Sequence, residues 1–230
     1  MPHIAFYGDP HGDFEPLLDV VSFGPKITAV VILGDFDLER PLREELHAVF
    51  ASQISVFWVP GNHDTDNSLW YERLFDSVPE GNLHGRMVTL GSTRIGGLGG
   101  VFRARIWDPH MPTAEARWKS PTELVTNTPL QSRFRGGLPL RHRSTIFPAD
   151  YDSLRAFNLD ILVSHEAPTT HEHGFAALDQ LAESTGARLL VHGHHHWSYE
   201  DRLPSGTRVR GLAAAEPWLL DLEQFGRLAG

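Results

Sequence analysis

Five short motifs of this chain carry histidine, aspartate and asparagine side chains, the residue types that bind metals and move protons. In chain order they read GDPHGD, LGDFD, PGNHD, VSHEAP and HGHHH. Their metal-binding side chains comprise two carboxylates, one amide and four imidazoles: Asp9, His11, Asp35, Asn62, His165, His194 and His196. Such a mixed set of oxygen and nitrogen ligands suits manganese, iron or zinc better than calcium.

The number of these ligands predicts two metal ions. Seven ligands are too many for one ion, and a carboxylate can bridge two ions about 3.5–4 Å apart, the spacing of two-metal hydrolytic sites. Asp35 is the natural bridge because it follows a central apolar strand. We therefore expect two divalent metal ions as cofactors, with manganese favoured and iron, zinc or nickel as alternatives.

An apolar run precedes each motif, and these runs read as buried strands. The predicted strands span residues 3–9, 27–35, 54–64, 160–168 and 187–196. Helical patterns cover 14–23, 39–52, 68–78, 149–157 and 175–185, a hairpin is predicted over 86–102, and short strands are predicted within 207–223. Alternating strands and helices favour a sheet with helical cover, and ligand sites gather at the carboxyl ends of parallel strands. The five motifs should therefore converge.

Residues 103–148 show no clean periodicity and contain several prolines. We predict a lid or insertion here, within a single domain spanning residues 1–230, because long connections of this kind often carry function. Guanidinium groups match phosphate oxygens well, so the arginines of this segment are candidates for binding substrate. The candidates are Arg103, Arg105, Arg133, Arg135, Arg141 and Arg143. The alternative is a solvated basic loop.

Composition narrows the class of protein. The chain has no cysteine, which excludes disulfides, thiolate zinc sites and cysteine nucleophiles. Its formal net charge of −9 argues against a broad nucleic-acid surface, although a local basic groove stays open. No apolar run has the length of a membrane span, and the N-terminus lacks the features of a signal peptide. The sequence therefore predicts a cytoplasmic protein that does not engage a membrane.

In their order and context, the five motifs resemble those of the calcineurin-like metallophosphoesterase family. The family pattern is Asp-x-His, Gly-Asp, Gly-Asn-His-Asp/Glu, a lone His and Gly-His-x-His, each after a strand. Here these positions are Asp9-Pro10-His11, Gly34-Asp35, Gly61-Asn62-His63-Asp64, His165 and Gly193-His194-His195-His196. The resemblance implies an α/β fold, namely an αββα sandwich of two mixed sheets flanked by helices.

The resemblance also implies a role for each site residue. One metal would be held by Asp9, His11, Asp35 and His196, and the other by Asp35, Asn62, His165 and His194. His63 would stand beside the metals and donate a proton to the leaving oxygen, with Asp64 orienting its ring. Side chains alternate along an extended segment, so we expect His194 and His196 to point to the metals and His195 to point away.

The implied function is hydrolysis of phosphate esters by a metal-bridging hydroxide, so the chain is expected to be a phosphoric ester hydrolase. A monoesterase acting on a small molecule or on phosphoserine and phosphothreonine is favoured. The alternatives are a phosphodiesterase or nuclease, a hydrolase of dinucleoside polyphosphates or cyclic nucleotides, and a non-catalytic metal-binding scaffold. Leu38 replaces an aspartate of many family members, and Asp64 replaces the glutamate of the protein-phosphatase branch. Both differences argue against a typical eukaryote-like protein phosphatase.

Overall fold

Two β-sheets form the centre of the protein in the computed structural model, which describes residues 3–227. The first sheet contains β1 (His3–Tyr7), β2 (Ile27–Ile32), β3 (Ser55–Trp58) and β10 (Pro217–Asp221), in the order β10-β1-β2-β3. Strands β1, β2 and β3 are parallel, whereas β10 pairs antiparallel with β1. The first sheet is therefore mixed.

Within the same described residues, the second sheet has six strands and is also mixed. They are β4 (Arg86–Leu90), β5 (Thr93–Leu98), β6 (Ile161–Ser164), β7 (Leu189–His192), β8 (Tyr199–Arg202) and β9 (Arg208–Gly211). Their order is β4-β5-β6-β7-β9-β8, with β4 and β8 antiparallel at the two edges. The hairpin predicted over 86–102 is formed by β4 and β5, which turn at Gly91 with a φ of 62°.

The two sheets pack face to face, and helices cover their outer faces. Alternate residues of β1 show the arrangement: Ile4 and Phe6 pack between the sheets, whereas Ala5 and Tyr7 belong to the apolar cluster under the helices. All four side chains are fully buried. Strands that are buried on both faces read as continuous apolar runs, which is why the sequence predicts them well. The predicted αββα sandwich is confirmed.

The helices occupy most of the predicted positions. They are α1 (Glu15–Phe23), α2 (Leu42–Glu45), α3 (His47–Ala51), α4 (Ser68–Phe75), α5 (Pro121–Thr126), α6 (Pro148–Arg155), α7 (Ala176–Thr185) and α8 (Leu222–Arg227). The single helix predicted over 39–52 is wrong, because Leu46 leaves helical geometry between α2 and α3. Leu42, Leu46 and Val49 are all fully buried. Apolar spacing reports this buried face and does not reveal the break in hydrogen bonding.

The strand predicted over 187–196 is too long, because β7 ends at His192. The backbone of His194 and of His196 has positive φ angles, 72° and 54°, which a strand does not accommodate. These histidines therefore lie on an irregular loop, and the predicted alternation of an extended segment does not place their side chains.

Residues 103–148 consist of short helices and turns that are packed against the second sheet. Five of their apolar side chains join the core on that side: Ile106, Trp107, Leu124, Ile146 and Phe147. The arginines of this segment therefore lie on a part of the chain that is anchored to the core by buried apolar side chains. None of the helices in residues 3–227 combines the length and apolar character needed to cross a membrane.

Candidate metal centre

The predicted metal ligands lie together where parallel strands of both sheets end. The loops after β1, β2, β3, β6 and β7 carry all seven: Asp9, His11, Asp35, Asn62, His165, His194 and His196. Positive φ angles occur at five of them, namely Asp9, His11, Asp35, His194 and His196. Such a conformation is rare in non-glycine residues and costs on the order of 1–3 kcal/mol each. Strain concentrated in this way is typical of a functional site.

His165 is fully buried and its ring is fixed by the backbone. Its Nδ1 donates to the carbonyl oxygen of Leu33 at 2.7 Å. The other nitrogen, Nε2, lies 3.2 Å from Asn62 Oδ1 and 3.5 Å from Asp35 Oδ2. A neutral ring therefore points its lone pair at two oxygen acceptors, which is favourable only with a proton or a cation between them. The ligand atoms of Asp35, His165 and His194 all lie within 4.8 Å of one another.

A second close approach joins His11 and His196. The Nδ1 of His11 lies 2.9 Å from Asp37 Oδ2, and a carboxylate there accepts the ring proton. The Nε2 of His11 is then only 3.1 Å from the Nε2 of His196. Two imidazole nitrogens at this distance repel each other unless they share a proton or bind one cation. Asp37 is thus not a free surface carboxylate but the partner of a predicted ligand.

Asp9 lies between these two groups and is fully buried. Its Oδ2 accepts from the backbone N–H of His194 at 2.7 Å and lies 3.9 Å from His196 Nε2. Its Oδ1 has no hydrogen-bond partner among residues 3–227, although it lies 3.4 Å from His165 Nδ1, whose proton is directed at the Leu33 carbonyl. A buried carboxylate oxygen left in this way is costly unless a cation satisfies it. The donor types, their orientation and this oxygen therefore fit two divalent cations.

Burial and charge oppose each other in the centre. Burial is the largest single effect on Asp35 and favours its neutral form, but the charge and hydrogen bond of His165, together with the backbone N–H and charge of His63, outweigh it and lower the pKa of Asp35. Burial also acts to lower the pKa of His165, yet Asp35 and Asp9 raise that pKa well above its ordinary value. Burial, reinforced by the charge of His165, lowers the pKa of His194 to about 3. A neutral imidazole is the form that binds a metal.

His63 lies beside the ligands, with its ring centre 5.8 Å from that of His11. The prediction that Asp64 orients His63 is wrong, because the buried Asp64 carboxylate faces the backbone. It accepts three backbone N–H groups: those of Asp35, Phe36 and Gly61. The carboxylate of Asp66 instead lies 2.8 Å from His63 Nδ1. A 3-10 turn over His63–Thr65 brings residue i+3 alongside residue i, so Asp66 reaches the ring.

Two further residues belong to this region, His195 and Glu166, and Glu166 is not among the site residues predicted from the sequence. Glu166 is 4% exposed, and burial is the main reason its pKa is raised to about 7. Its Oε2 lies 3.7 Å from His194 Nε2. The His195 ring stacks on His171 at 3.9 Å between ring centres, yet a ligand atom of His195 lies within 4.8 Å of those of Glu166 and His194. A signal in the sequence that could have indicated Glu166 as a site residue is its position directly after the predicted ligand His165.

The predicted arginines divide into two groups. Three are engaged by groups away from the metal ligands: Arg133 with the Thr128 carbonyl, Arg135 with Glu72 and Asp76, and Arg143 with Tyr71 and the Phe134 carbonyl. The other three line one cleft: Arg103, Arg105 and Arg141. Sequence position does not distinguish the two groups, since their side chains emerge from one irregular segment.

Comparison with known proteins identifies the family to which this chain belongs. A sequence model of the calcineurin-like phosphoesterases matches residues 2–198, which include all five motifs. The chain belongs to the calcineurin-like phosphoesterase family. This calcineurin-like phosphoesterase is 36% identical over 219 residues to an uncharacterized protein of Haemophilus influenzae, a match that covers 93% of this chain and 94% of that protein. Family membership implies metal-dependent hydrolysis of phosphoesters.

Solved structures share the fold of this calcineurin-like phosphoesterase. The protein TT1561 of Thermus thermophilus is similar with a TM-score of 0.57 at 15% identity, and the match covers 97% of this chain and 95% of that one. A dimetal phosphatase from Danio rerio is similar with a TM-score of 0.55 at 15% identity, covering 93% of this chain and 87% of that one. At these identities the likeness concerns the fold.

Proposed function

We propose that this calcineurin-like phosphoesterase hydrolyses phosphate monoesters, of a small molecule or of phosphoserine and phosphothreonine, with two divalent cations. The observation that supports two bound cations is a pair of close contacts in the centre, in each of which lone pairs of ligand atoms face one another. The Nε2 atoms of His11 and His196 are 3.1 Å apart, and the Nε2 of His165 faces Asn62 and Asp35. Ring orientations of this kind are those of metal-ligating histidines whose other nitrogen is bonded elsewhere. The fold shared with a dimetal phosphatase supports the same interpretation.

Two sets of residues would hold the cations, with Asp35 common to both. One set is Asp9, His11, Asp35 and His196, and the other is Asp35, Asn62, His165 and His194. Manganese is the favoured metal, with iron, zinc or nickel as alternatives, because carboxylate, amide and imidazole ligands suit these ions. Bound there, the cations would supply a nucleophile from water near neutral pH and neutralise charge on the phosphoryl oxygens.

His63 would donate the proton to the leaving oxygen of the ester. About 45% of its side chain is exposed, so a substrate can reach the ring. Its Nδ1 is held by Asp66, which leaves Nε2 to carry the transferred proton. Burial alone would lower the pKa of His63, but Asp66 and Asp35 raise it. The charged ring is therefore favoured, as proton donation requires.

Replacing His63 by alanine tests this mechanism. We expect His63→Ala to lower kcat for p-nitrophenyl phosphate by about 10²–10⁴-fold, the range for loss of a general acid. Elemental analysis of the manganese-loaded variant should still give two ions per chain, since His63 is not a ligand. His47→Ala is the matched control, because His47 is exposed on α3.

Two results would contradict the proposal. One is unchanged turnover in His63→Ala, which would remove His63 from the mechanism. The other is faster cleavage of bis(p-nitrophenyl) phosphate than of p-nitrophenyl phosphate by the unmodified protein, which would make the enzyme a diesterase.

A further inference from the structure

A cleft of about 730 Å³ opens among the side chains of the 103–148 segment. Its basic lining comprises Arg103, Arg105, Arg117 and Arg141, with His142 beside them. Trp118 and Leu124 contribute apolar surface to the same cleft. A pocket that combines several guanidinium groups with an aromatic wall has the chemistry of a phosphate-binding site.

The arginines of the cleft form no ion pair with a carboxylate among residues 3–227. Arg105, Arg117 and Arg141 form no ion pair with any residue in 3–227, and Arg103 uses its Nε to donate to the hydroxyl of Thr145 at 3.0 Å. Arg135 of the same segment differs, since it pairs with Glu72 and Asp76 at 2.8 Å each. The chain therefore satisfies a nearby arginine with carboxylates and leaves those of the cleft unpaired.

Two of the arginines in the cleft lie close enough to repel each other. Burial lowers the pKa of Arg103, and the charge of Arg141 lowers it further, against the smaller opposing effects of Asp66 and Glu166. His142 is affected in the same way, because burial and then Arg103 and Arg141 lower its pKa and keep it neutral. Repulsion of this kind is relieved when an anion with several oxygens enters the cleft.

A hydrogen-bonded chain links neutral His142 to Arg103 through the Thr145 hydroxyl. Thr145 Oγ1 accepts from Arg103 and can donate its own proton to the Nδ1 of His142 at 3.1 Å. A neutral ring that accepts at Nδ1 carries its proton on Nε2. The cleft thus adds one neutral N–H donor to its guanidinium groups.

The cleft adjoins the metal centre through its wall. The backbone N–H of Phe102, which lines the cleft, donates to Glu166 Oε1 at 3.1 Å, and the other oxygen of Glu166 lies 3.7 Å from His194. The negative charges of Glu166 and of Asp66, which is the partner of His63, act to raise the pKa of Arg103. A molecule in the cleft would therefore lie next to a phosphate at the metal centre.

We propose that the cleft binds a second phosphoryl group of the substrate, so that the preferred substrates are small molecules carrying two phosphates. The inference rests on the proposed function, because the phosphate to be cleaved would occupy the metal centre. A nucleic-acid backbone is the less suitable occupant, since the chain has a formal net charge of −9 and the cleft offers only a local cluster of arginines.

Phosphonates test binding without turnover, because their carbon–phosphorus bonds resist hydrolysis. The manganese-loaded protein would be titrated calorimetrically with methylphosphonate and with alkane bisphosphonates of increasing chain length. We expect one bisphosphonate to bind at least about tenfold more tightly than methylphosphonate, the effect of added charged hydrogen bonds. Arg105→Gln and Arg141→Gln should each remove most of this advantage. Arg135→Gln is the matched control and should retain it, because Arg135 is exposed on the same segment but already paired.

The possible outcomes separate this inference from the proposed function. Equal affinity for all phosphonates, or an advantage that survives both Arg105→Gln and Arg141→Gln, overturns the second-phosphate site while hydrolysis of p-nitrophenyl phosphate stands. A protein that keeps the arginine-dependent bisphosphonate preference but cleaves no ester supports the site and defeats the proposed function. Tighter, arginine-dependent binding of a single-stranded oligonucleotide overturns the inference in favour of a nucleic-acid groove.

Discussion

At the scale of single residues, the contact between His63 and Asp66 determines which ring nitrogen of the proposed proton donor stays free. Asp66 Oδ2 lies 2.8 Å from His63 Nδ1, so the carboxylate fixes the orientation of the ring. The hydrogen bond also stabilises the protonated ring, which is one reason that the pKa of His63 is raised despite the opposing effect of burial. His63 therefore stays protonated to a higher pH than a free histidine does. In the proposed mechanism Asp66 would be a positioning residue, since it would act through His63.

We expect Asp66→Asn to lower kcat for p-nitrophenyl phosphate by about tenfold, part of the roughly 10²–10⁴-fold that a general acid contributes. The alkaline limb of the kcat–pH profile should also move to lower pH. The sign follows because loss of the carboxylate lowers the pKa of the donor, and the active protonated form then disappears earlier as pH rises.

Steady-state rates across the pH range, with metal content measured in parallel, check this prediction. Asp152→Asn is the control, since Asp152 is an exposed carboxylate on α6. An alkaline limb that stays in place in Asp66→Asn would show that Asp66 supports the fold and does not act on the proton donor.

At the scale of secondary-structure elements, the turn after β3 requires a residue without a side chain. A Cβ on Gly61 would overlap Asp35 Oδ1 and would lie 2.5 Å from the Asp35 backbone nitrogen. Neither atom can yield easily, because Asp35 is itself held with a φ of 51° and accepts from the His63 backbone N–H. The backbone of the turn therefore packs directly against Asp35, the proposed bridging ligand, and leaves no room for a side chain at Gly61.

Gly61→Ala is accordingly expected to lose metal. Elemental analysis after loading with manganese should give fewer than two ions per chain, and thermal unfolding should occur at a lower temperature, since overpacking costs about 1–3 kcal/mol. Gly226→Ala in α8 provides the comparison, because a Cβ there meets open space. Full loading of the Gly61 variant would mean that the Asp35 side chain is free to move.

Local chain geometry explains which elements and contacts could be predicted from the sequence. The buried strands and the order of the five motifs were readable because strands buried on both faces are continuous apolar runs and the motifs follow them directly. The break at Leu46 and the end of β7 at His192 were not readable, because apolar spacing records burial and not backbone hydrogen bonding. The contact of His63 with Asp66, where Asp64 was predicted, depends on a short 3-10 turn that the sequence does not announce. The ion pair between Arg135 and Glu72 depends on tertiary contacts between distant segments.

At the scale of the whole molecule, the candidate centre joins the two sheets. Loops of the first sheet supply four of the proposed ligands and loops of the second supply three: Asp9, His11, Asp35 and Asn62, then His165, His194 and His196. Two buried carboxylates meet there, Asp9 with no exposure and Asp35 with 2%. Like charges brought together in a buried site are costly without compensating positive charge. Cations bound between the loops would therefore stabilise the contact between the sheets as well as serve catalysis.

Removing the metal should then lower the stability of the entire fold. A ligand that binds only the native state stabilises it by about 4 kcal/mol when its free concentration is about a thousand times its Kd. We expect EDTA to lower the Tm of the manganese-loaded protein in differential scanning calorimetry, and added manganese to restore it. Asp35→Asn should show a much smaller response, because it removes the carboxylate shared by both proposed sites. A Tm that is identical with and without chelator would mean that no cation links the sheets, since native-state binding of any useful affinity must appear as stability.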